Sequence, residues 1–327
     1  VMSATQSNKK EMAVAAFDKE EFKRISMRLV KKTKIPPGTT HLNRYMNILP
    51  NPRTRVRLQQ LADDKTTTYI NANYVHGWDG AHGTYVATQG PKNETMGDFW
   101  RMVWETNSNT IIMVTGIKEK GVVKCSRYWP KVLYNEEQQL GDMQLGYMNV
   151  AVLEGQKANG YVVTKIRLKK DKVKGERIVM HYWYNSWPDH GVPNNTTAVH
   201  HMLGTARKWC DDPTKPWVVH CSAGVGRTGT FITIDIGIRM LNHTGKADVN
   251  DIIRGLRRDR CAMVQHPEQA EFAHRALTEY VQWCLCMCVC VCVCVLVFVF
   301  VFVFVFLSLS LSLSLSLSLF VCTFLRA

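Results

Sequence analysis

The sequence predicts an α/β domain, and two passages carry that prediction. Thr95 to Thr106 sets Phe99, Trp100, Met102, Val103 and Trp104 on a segment with a heavy apolar face, which reads as a helix. The unbroken apolar run Ile111-Ile112-Met113-Val114 follows and reads as a strand buried on both faces. The second passage begins at Pro216-Trp217-Val218-Val219, a short buried strand. It leads through a glycine-rich loop into Thr230 to Leu241, a helix rich in core residues. Strands and helices in alternation imply a sheet covered by helices. A chain of 327 residues, 46% of them hydrophobic, can bury a sizeable core in one large domain or two.

The other elements follow in chain order. Residues 1–16 are expected to be an unstructured N-terminal segment. Phe17 to Lys31 carries Phe22, Ile25, Leu29 and Val30 at roughly helical spacing and predicts a packing helix, stopped by Pro36-Pro37-Gly38. Tyr69 to Val75 alternates like a strand, and Tyr85 to Thr88 is another, ended by Gly90-Pro91. Residues 145–168 and 176–184 read as hairpin strands joined by a charged turn from Lys169 to Gly175. Thr197 to Cys210 is a helix with Val199, Met202, Leu203, Ala206 and Trp209 on one face. Val249 to Arg260 is a helix with four arginines, and Ala270 to Trp283 is the last helix of a domain assigned to residues 17–283.

Net charge and cysteine usage narrow the setting. The formal charge is +14, and Arg326 is the only charged residue after Trp283, so the excess belongs to the globular part. Such a surface suits anionic partners. No Lys/Arg block with interleaved aromatics is present, so no nucleic-acid partner is expected. Cys125, Cys210, Cys221 and Cys261 have neither zinc-site nor disulfide spacing, which fits a reduced, cytoplasmic setting with no metal. The N-terminus carries no secretory signal. Residues 284–327 form a low-complexity tail of alternating Cys-Val, Val-Phe and Leu-Ser. Repeating TG read in triplets gives Cys-Val and repeating CT gives Leu-Ser, so the tail reads as translated non-coding repeat. Its alternatives are an aggregating strand or a membrane anchor, because Leu285 to Leu307 is uncharged and exceeds the about 20 apolar residues of a spanning helix.

The chemistry is concentrated in His220-Cys221-Ser222-Ala223-Gly224-Val225-Gly226-Arg227-Thr228-Gly229. A lone cysteine is usually a small buried hydrophobe. Here a strand, a tight glycine-rich loop and a helix start converge on it. Glycines let consecutive N–H groups turn toward one point, and the helix N-terminus adds partial positive charge there. Ser222 to Gly226 therefore form a cradle for a tetrahedral dianion, and Arg227 can grip two of its oxygens. The same field favours a thiolate at Cys221, a nucleophile placed under phosphorus.

This Cys-x5-Arg loop resembles that of the tyrosine-specific protein phosphatases, and the resemblance extends over about residues 40–282. It implies a highly twisted mixed sheet flanked by helices, with the phosphate-binding loop between a strand and a helix N-terminus. It implies hydrolysis of phosphotyrosine on proteins, without a cofactor, through a cysteinyl-phosphate. Asn43-Arg44-Tyr45 matches the family's recognition loop, in which Tyr45 stacks on the substrate ring and sets the pocket depth. Leu42 stands where a lysine is usual, and Asn47 where an aspartate often accepts peptide N–H bonds. Glu119 matches the acid that pairs with the loop arginine. Trp187-Pro188-Asp189-His190-Gly191 matches the closing loop, with Trp187 as hinge and Asp189 as general acid and then base. Gln265 matches the residue that orients the attacking water, with Gln269 beside it. Thr228 can stabilise the departing thiolate and His220 can fix the surroundings of the cysteine. Arg257 stands where it could line a second phosphate pocket or be a solvated helix charge.

Three other readings share these features. A dual-specificity or lipid phosphatase has the Cys-x5-Arg loop, but Tyr45 implies a deep pocket. A phosphotyrosine-binding pseudoenzyme would lack an acid or a nucleophile, and both are present. A membrane protein defined by its tail is the third, and membrane contact is expected only if 285–307 is a real segment.

Overall fold

The computed structural model describes residues 12–25, 35–62, 64–131, 141–188, 191–212 and 214–286. The chain divides into a unit over Val1–Thr278 and a second over Glu279–Ala327. In the second, the described residues 279–286 are helical.

The first unit runs β1 (Ala13–Val14), α1 (Lys19–Arg24), β2 (Arg55–Arg57), β3 (Tyr69–Val75), β4 (Tyr85–Thr88), α2 (Met96–Glu105) and β5 (Thr110–Met113). Two short strands, β6 (Lys118–Glu119) and β7 (Val122–Val123), form a ribbon. There follow β8 (Asp142–Leu145), β9 (Met148–Ala158), β10 (Tyr161–Lys170), β11 (Arg177–Trp183), α3 (Thr197–Trp209) and β12 (Trp217–His220). The chain continues with α4 (Gly226–Thr244), β13 (Lys246–Ala247) and α5 (Val249–Asp259), and residues 267–278 are helical.

Nine strands form one mixed sheet in the order β2-β3-β4-β12-β5-β11-β10-β9-β8. Its centre, β4-β12-β5-β11, is parallel, and antiparallel strands extend it on both sides. β12 therefore lies between two parallel neighbours, with all four residues buried. That position explains its continuous apolar character, since both faces are covered. His220, its last residue, is in register with Thr88 of β4 and Met113 of β5, so the loop after it opens at the C-terminal ends of the parallel strands. α2 packs against β3, β8 and β9 and puts Phe99, Trp100, Met102 and Val103 into a core with Val218, Ile111 and Met113. Gly245, in the left-handed conformation at φ 78°, ends α4. Asp248 caps α5 by accepting from the N–H groups of Asn250 and Asp251.

Several elements differ from the sequence reading. Ala13–Val14 pairs in parallel with Lys246–Ala247, so ordered structure begins before residue 17; residues 1–11 lie outside the described residues. The helix expected over Phe17 to Lys31 covers Lys19–Arg24 and ends at Ile25, whose backbone is extended. Residues 145–168 are not one strand but parts of β9 and β10, folded back at Asn159-Gly160, where Gly160 has φ 80°. Asn-Gly is a strong two-residue hairpin signal. Among the described residues no helix is long and apolar enough to cross a membrane, and most of the candidate span 285–307 lies outside them.

Candidate active site

The loop after β12 turns every carbonyl outward. The Cys221 carbonyl accepts from His220 Nδ1 (3.1 Å) and the Ser222 carbonyl from the Gly90 N–H (2.9 Å). Ala223 and Gly224 carbonyls accept from the Arg260 guanidinium (3.1 and 2.8 Å), and Val225 from the N–H groups of Gly229 and Val264. The N–H groups of Ser222, Ala223, Val225 and Gly226 have no protein acceptor among the described residues, and that of Gly224 donates to Cys221 Sγ at 3.3 Å. Unused donors around one sulfur, at the start of a nineteen-residue helix, make an anion site. Two glycines are required sterically. Gly224 has φ 71°, and a Cβ there would lie 2.0 Å from the Thr88 carbonyl oxygen. A Cβ on Gly226 would lie 2.9 Å from Gln265 Oε1 and 3.0 Å from Gln269 Nε2, so both glutamine side chains come close over the loop.

Around this loop is a cleft of about 320 Å³. Tyr45, Asn47 and Glu119 line it together with Cys221, Ser222, Ala223, Gly226, Arg227, Gln265 and Gln269. The structure thus gathers most of the predicted site residues. The Ser222 hydroxyl donates to the Lys124 carbonyl, which leaves the Tyr45 hydroxyl to donate to Ser222 Oγ at 2.9 Å. Arg44 pins the same segment to the carbonyls of Gly90 and Pro91 (2.9 and 2.7 Å). Tyr45 is therefore a wall tied directly to the loop. Asn47 is exposed at the rim. The Gln269 side-chain oxygen accepts from the N–H groups of Gln265 and His266, which fixes the 265 backbone over the cleft.

Glu119 holds Arg227 with two parallel bonds, Nη1 to Oε1 at 2.7 Å and Nη2 to Oε2 at 3.0 Å. Burial opposes ionisation of Glu119, but the Arg227 bond, the Gly116 N–H and the Thr115 hydroxyl outweigh it and bring its carboxyl down to about 2. A depressed acid stabilises the fold fully above its unfolded value, here the usual 4.5, and loses that contribution as pH falls toward about 2. Glu119→Gln is expected to lower kcat/KM about tenfold, the size of one lost charge-assisted bond. The acid limb of the pH–rate profile should stay where it is, because Glu119 remains ionised throughout it. A shifted acid limb would show that Glu119 itself titrates in turnover.

Behind the sulfur lies a buried chain that the sequence did not reveal. Tyr128 Oη is 2.7 Å from His220 Nε2 and 2.8 Å from His181 Nε2. His220 Nδ1 faces a carbonyl and must be the donor, so Nε2 accepts from Tyr128 and His181 supplies a proton to the tyrosine oxygen. Burial brings His220 down to about 4, so it is neutral near pH 7. The Thr228 hydroxyl is buried and has no hydrogen-bond partner among the described residues. Trp187 is buried against Tyr184 and Phe272 and donates its indole N–H to the Gly191 carbonyl at 3.1 Å, which spans Pro188 to His190. Asp189 and His190 lie outside the described residues.

Arg257 answers to neither sequence reading. It is buried, donates to the carbonyls of Met263, Val264 and Ile25, and lies over the Phe22 ring. Arg260, also fully buried, is the functional residue the sequence reading missed. Besides two loop carbonyls it holds the side-chain oxygens of Asn71 and Asn73.

A family model described as protein-tyrosine phosphatase matches residues 39–279. The chain belongs to the protein-tyrosine phosphatase family. It is 40% identical over 267 residues to human receptor-type tyrosine-protein phosphatase R, covering 80% of this chain and 38% of that protein. Rat receptor-type tyrosine-protein phosphatase zeta is 39% identical over 250 residues (75% and 11%), and the mouse receptor-type phosphatase C is 40% identical over 248 (75% and 19%). The chain thus spans well under half the length of these relatives.

Within this phosphatase domain the cysteines divide sharply. Cys125 is completely buried, and burial pushes its thiol up to about 12. Cys221 shares its surroundings with unpaired N–H donors instead. Peroxide is therefore expected to form a sulfenic acid at Cys221 first and abolish turnover, with phosphate protecting and a dithiol restoring activity. Probe labelling mapped by mass spectrometry checks this, and labelling chiefly at Cys125, Cys210 or Cys261 with activity intact would overturn it.

Proposed function

We propose that this domain hydrolyses phosphotyrosine on proteins in two displacements at phosphorus. Cys221 Sγ attacks, the sulfur–phosphorus bond forms and the bond to the tyrosine oxygen breaks, while Asp189 gives that oxygen its proton. Water positioned by Gln265 then attacks phosphorus, the sulfur–phosphorus bond breaks, and Asp189 takes the proton back. The thiolate and inorganic phosphate leave the second step. Arg227 and the loop N–H groups hold the equatorial oxygens throughout, and Thr228 and His220 steady the sulfur. Trp187 serves as the hinge of the loop that carries the acid. Asn47 and Gln269 contact the bound peptide or its phosphate.

The observation that carries this reading is the loop itself: five carbonyls bonded outward and four backbone N–H groups without acceptors among the described residues around one cysteine. Such a loop is complementary to a bound oxyanion. The Tyr45 wall supports selectivity for the long phosphotyrosyl side chain, because a phosphoseryl group at the same depth falls short of the sulfur. Matched phosphotyrosine and phosphoserine peptides test this. Cleavage of the first is expected to be faster by at least about 10³, and comparable rates would move the domain to a dual-specificity activity. Acid quench of the phosphotyrosine reaction should trap phosphate on Cys221. The substrates are proposed to be cytoplasmic phosphotyrosine proteins.

A further inference from the structure

A second and larger groove, of about 580 Å³, shares no lining residue with the active-site cleft. Its volume lies in the range that takes small molecules. Ile236 and Met240 of α4 face Ile252 and Leu256 of α5 across it and give it an apolar floor. Arg53 and Arg258 stand at its rim. Both are exposed, and neither side chain has a hydrogen bond or ion pair among the described residues. The acids of the groove are already engaged. Asp251 pairs with Arg254, and Asp259 accepts from the His76 N–H (3.0 Å) and faces His76 Nδ1 at 2.8 Å. Trp78 adds an aromatic wall, and its buried indole N–H has no acceptor among the described residues. Two cationic side chains with no protein partner among the described residues therefore border an apolar floor.

We propose that this groove binds a small amphipathic carboxylate, its acid group held between Arg53 and Arg258 and its apolar body along α4 and α5. The site is linked to the loop around Cys221. Thr54 lines the groove and donates to the Asp259 carbonyl, and the Asn73 amide donates to Thr54. Asn73 in turn accepts from Arg260, the residue that holds the carbonyls of Ala223 and Gly224. A ligand that shifts Thr54 or Asp259 acts on the clamp of the anion cradle. Occupancy of the two sites is then coupled, and each ligand changes the affinity of the other by the same factor.

The probe is decanoate below its micelle-forming concentration, titrated calorimetrically into the full chain. Saturable one-site binding is expected. The double variant Arg53→Gln/Arg258→Gln should weaken it about tenfold or more, as should replacing decanoate by decanol. Met240→Trp, which fills the floor, should abolish it. The two arginines are exposed, so that variant keeps the fold, and it decides the case with the decanol arm even if Met240→Trp does not fold. Absence of saturable binding, or binding equal in the arginine variant and equal for decanol, overturns the site. With decanoate bound, vanadate affinity at the active site should change, and the change should vanish in the arginine variant. Independent binding of the two ligands overturns the linkage through Arg260.

Discussion

Cys221→Ser is expected to abolish turnover of p-nitrophenyl phosphate, by on the order of 10⁴-fold or more, and to leave phosphopeptide affinity within about threefold of the parent. The two halves of this result come from different atoms. The proposed turnover needs a sulfur nucleophile, and a serine hydroxyl in the same place is a far weaker one. Binding needs only the cradle. Its N–H groups at Ser222, Ala223, Val225 and Gly226 and the Arg227 fork held by Glu119 are unchanged by the substitution. Turnover by the serine variant at the parental rate would remove Cys221 from the mechanism, and lost phosphopeptide binding would show that the sulfur itself shapes the cradle.

The loop was legible because its function is local. A strand, three glycines, a cysteine and an arginine within ten residues fix both the backbone and the charge it encloses. The parallel centre of the sheet was legible for a similar reason, since Val218-Val219 and Ile111-Ile112 can be continuous only where both faces are covered. What holds the loop in place is long-range and was not read. Arg260 reaches Asn71 and Asn73 across nearly two hundred residues, and Tyr128 reaches His220 across ninety-two. A signal for Arg257 did exist. Arg257 follows Ile253 by four residues and continues the buried stripe of α5, whereas Arg258 stands off it and is exposed; Arg260 follows the end of the helix in extended backbone, where helical spacing says nothing of its burial. Charged residues are seldom buried without an acid partner, which argues against reading such an arginine as buried. Here backbone carbonyls and two amides take the place of an acid. The hairpin of β9 and β10 carries its own signal in Asn159-Gly160, the two-residue turn at which the strands fold back.

Asp189→Ala is the other large effect, and its size should depend on the leaving group. The role proposed for Asp189 is to give the departing oxygen a proton. p-Nitrophenolate leaves well without one, so its phosphate should be slowed little. Phenyl phosphate and phosphotyrosine peptides expel a far more basic oxygen and should slow by roughly 10² to 10⁴, about 2.7 to 5.5 kcal/mol of barrier. The flanking structure supports an acid delivered from this segment. Trp187 is anchored in the core and bonded to the Gly191 carbonyl, Arg275 holds the Pro193 carbonyl at 3.0 Å, and Gly191 and Val192 line the active-site cleft. The described residues that flank Asp189 in the sequence are therefore anchored, and those just after it stand at the cleft. Asp189→Asn should behave like the alanine variant toward poor leaving groups, because an amide has the shape but no transferable proton. A plot of log kcat/KM against leaving-group pKa makes the comparison, and it should be steep for both variants and shallow for the parent. Parallel lines, with every substrate slowed equally, would mean that Asp189 shapes the closed loop and that another group protonates the tyrosine oxygen.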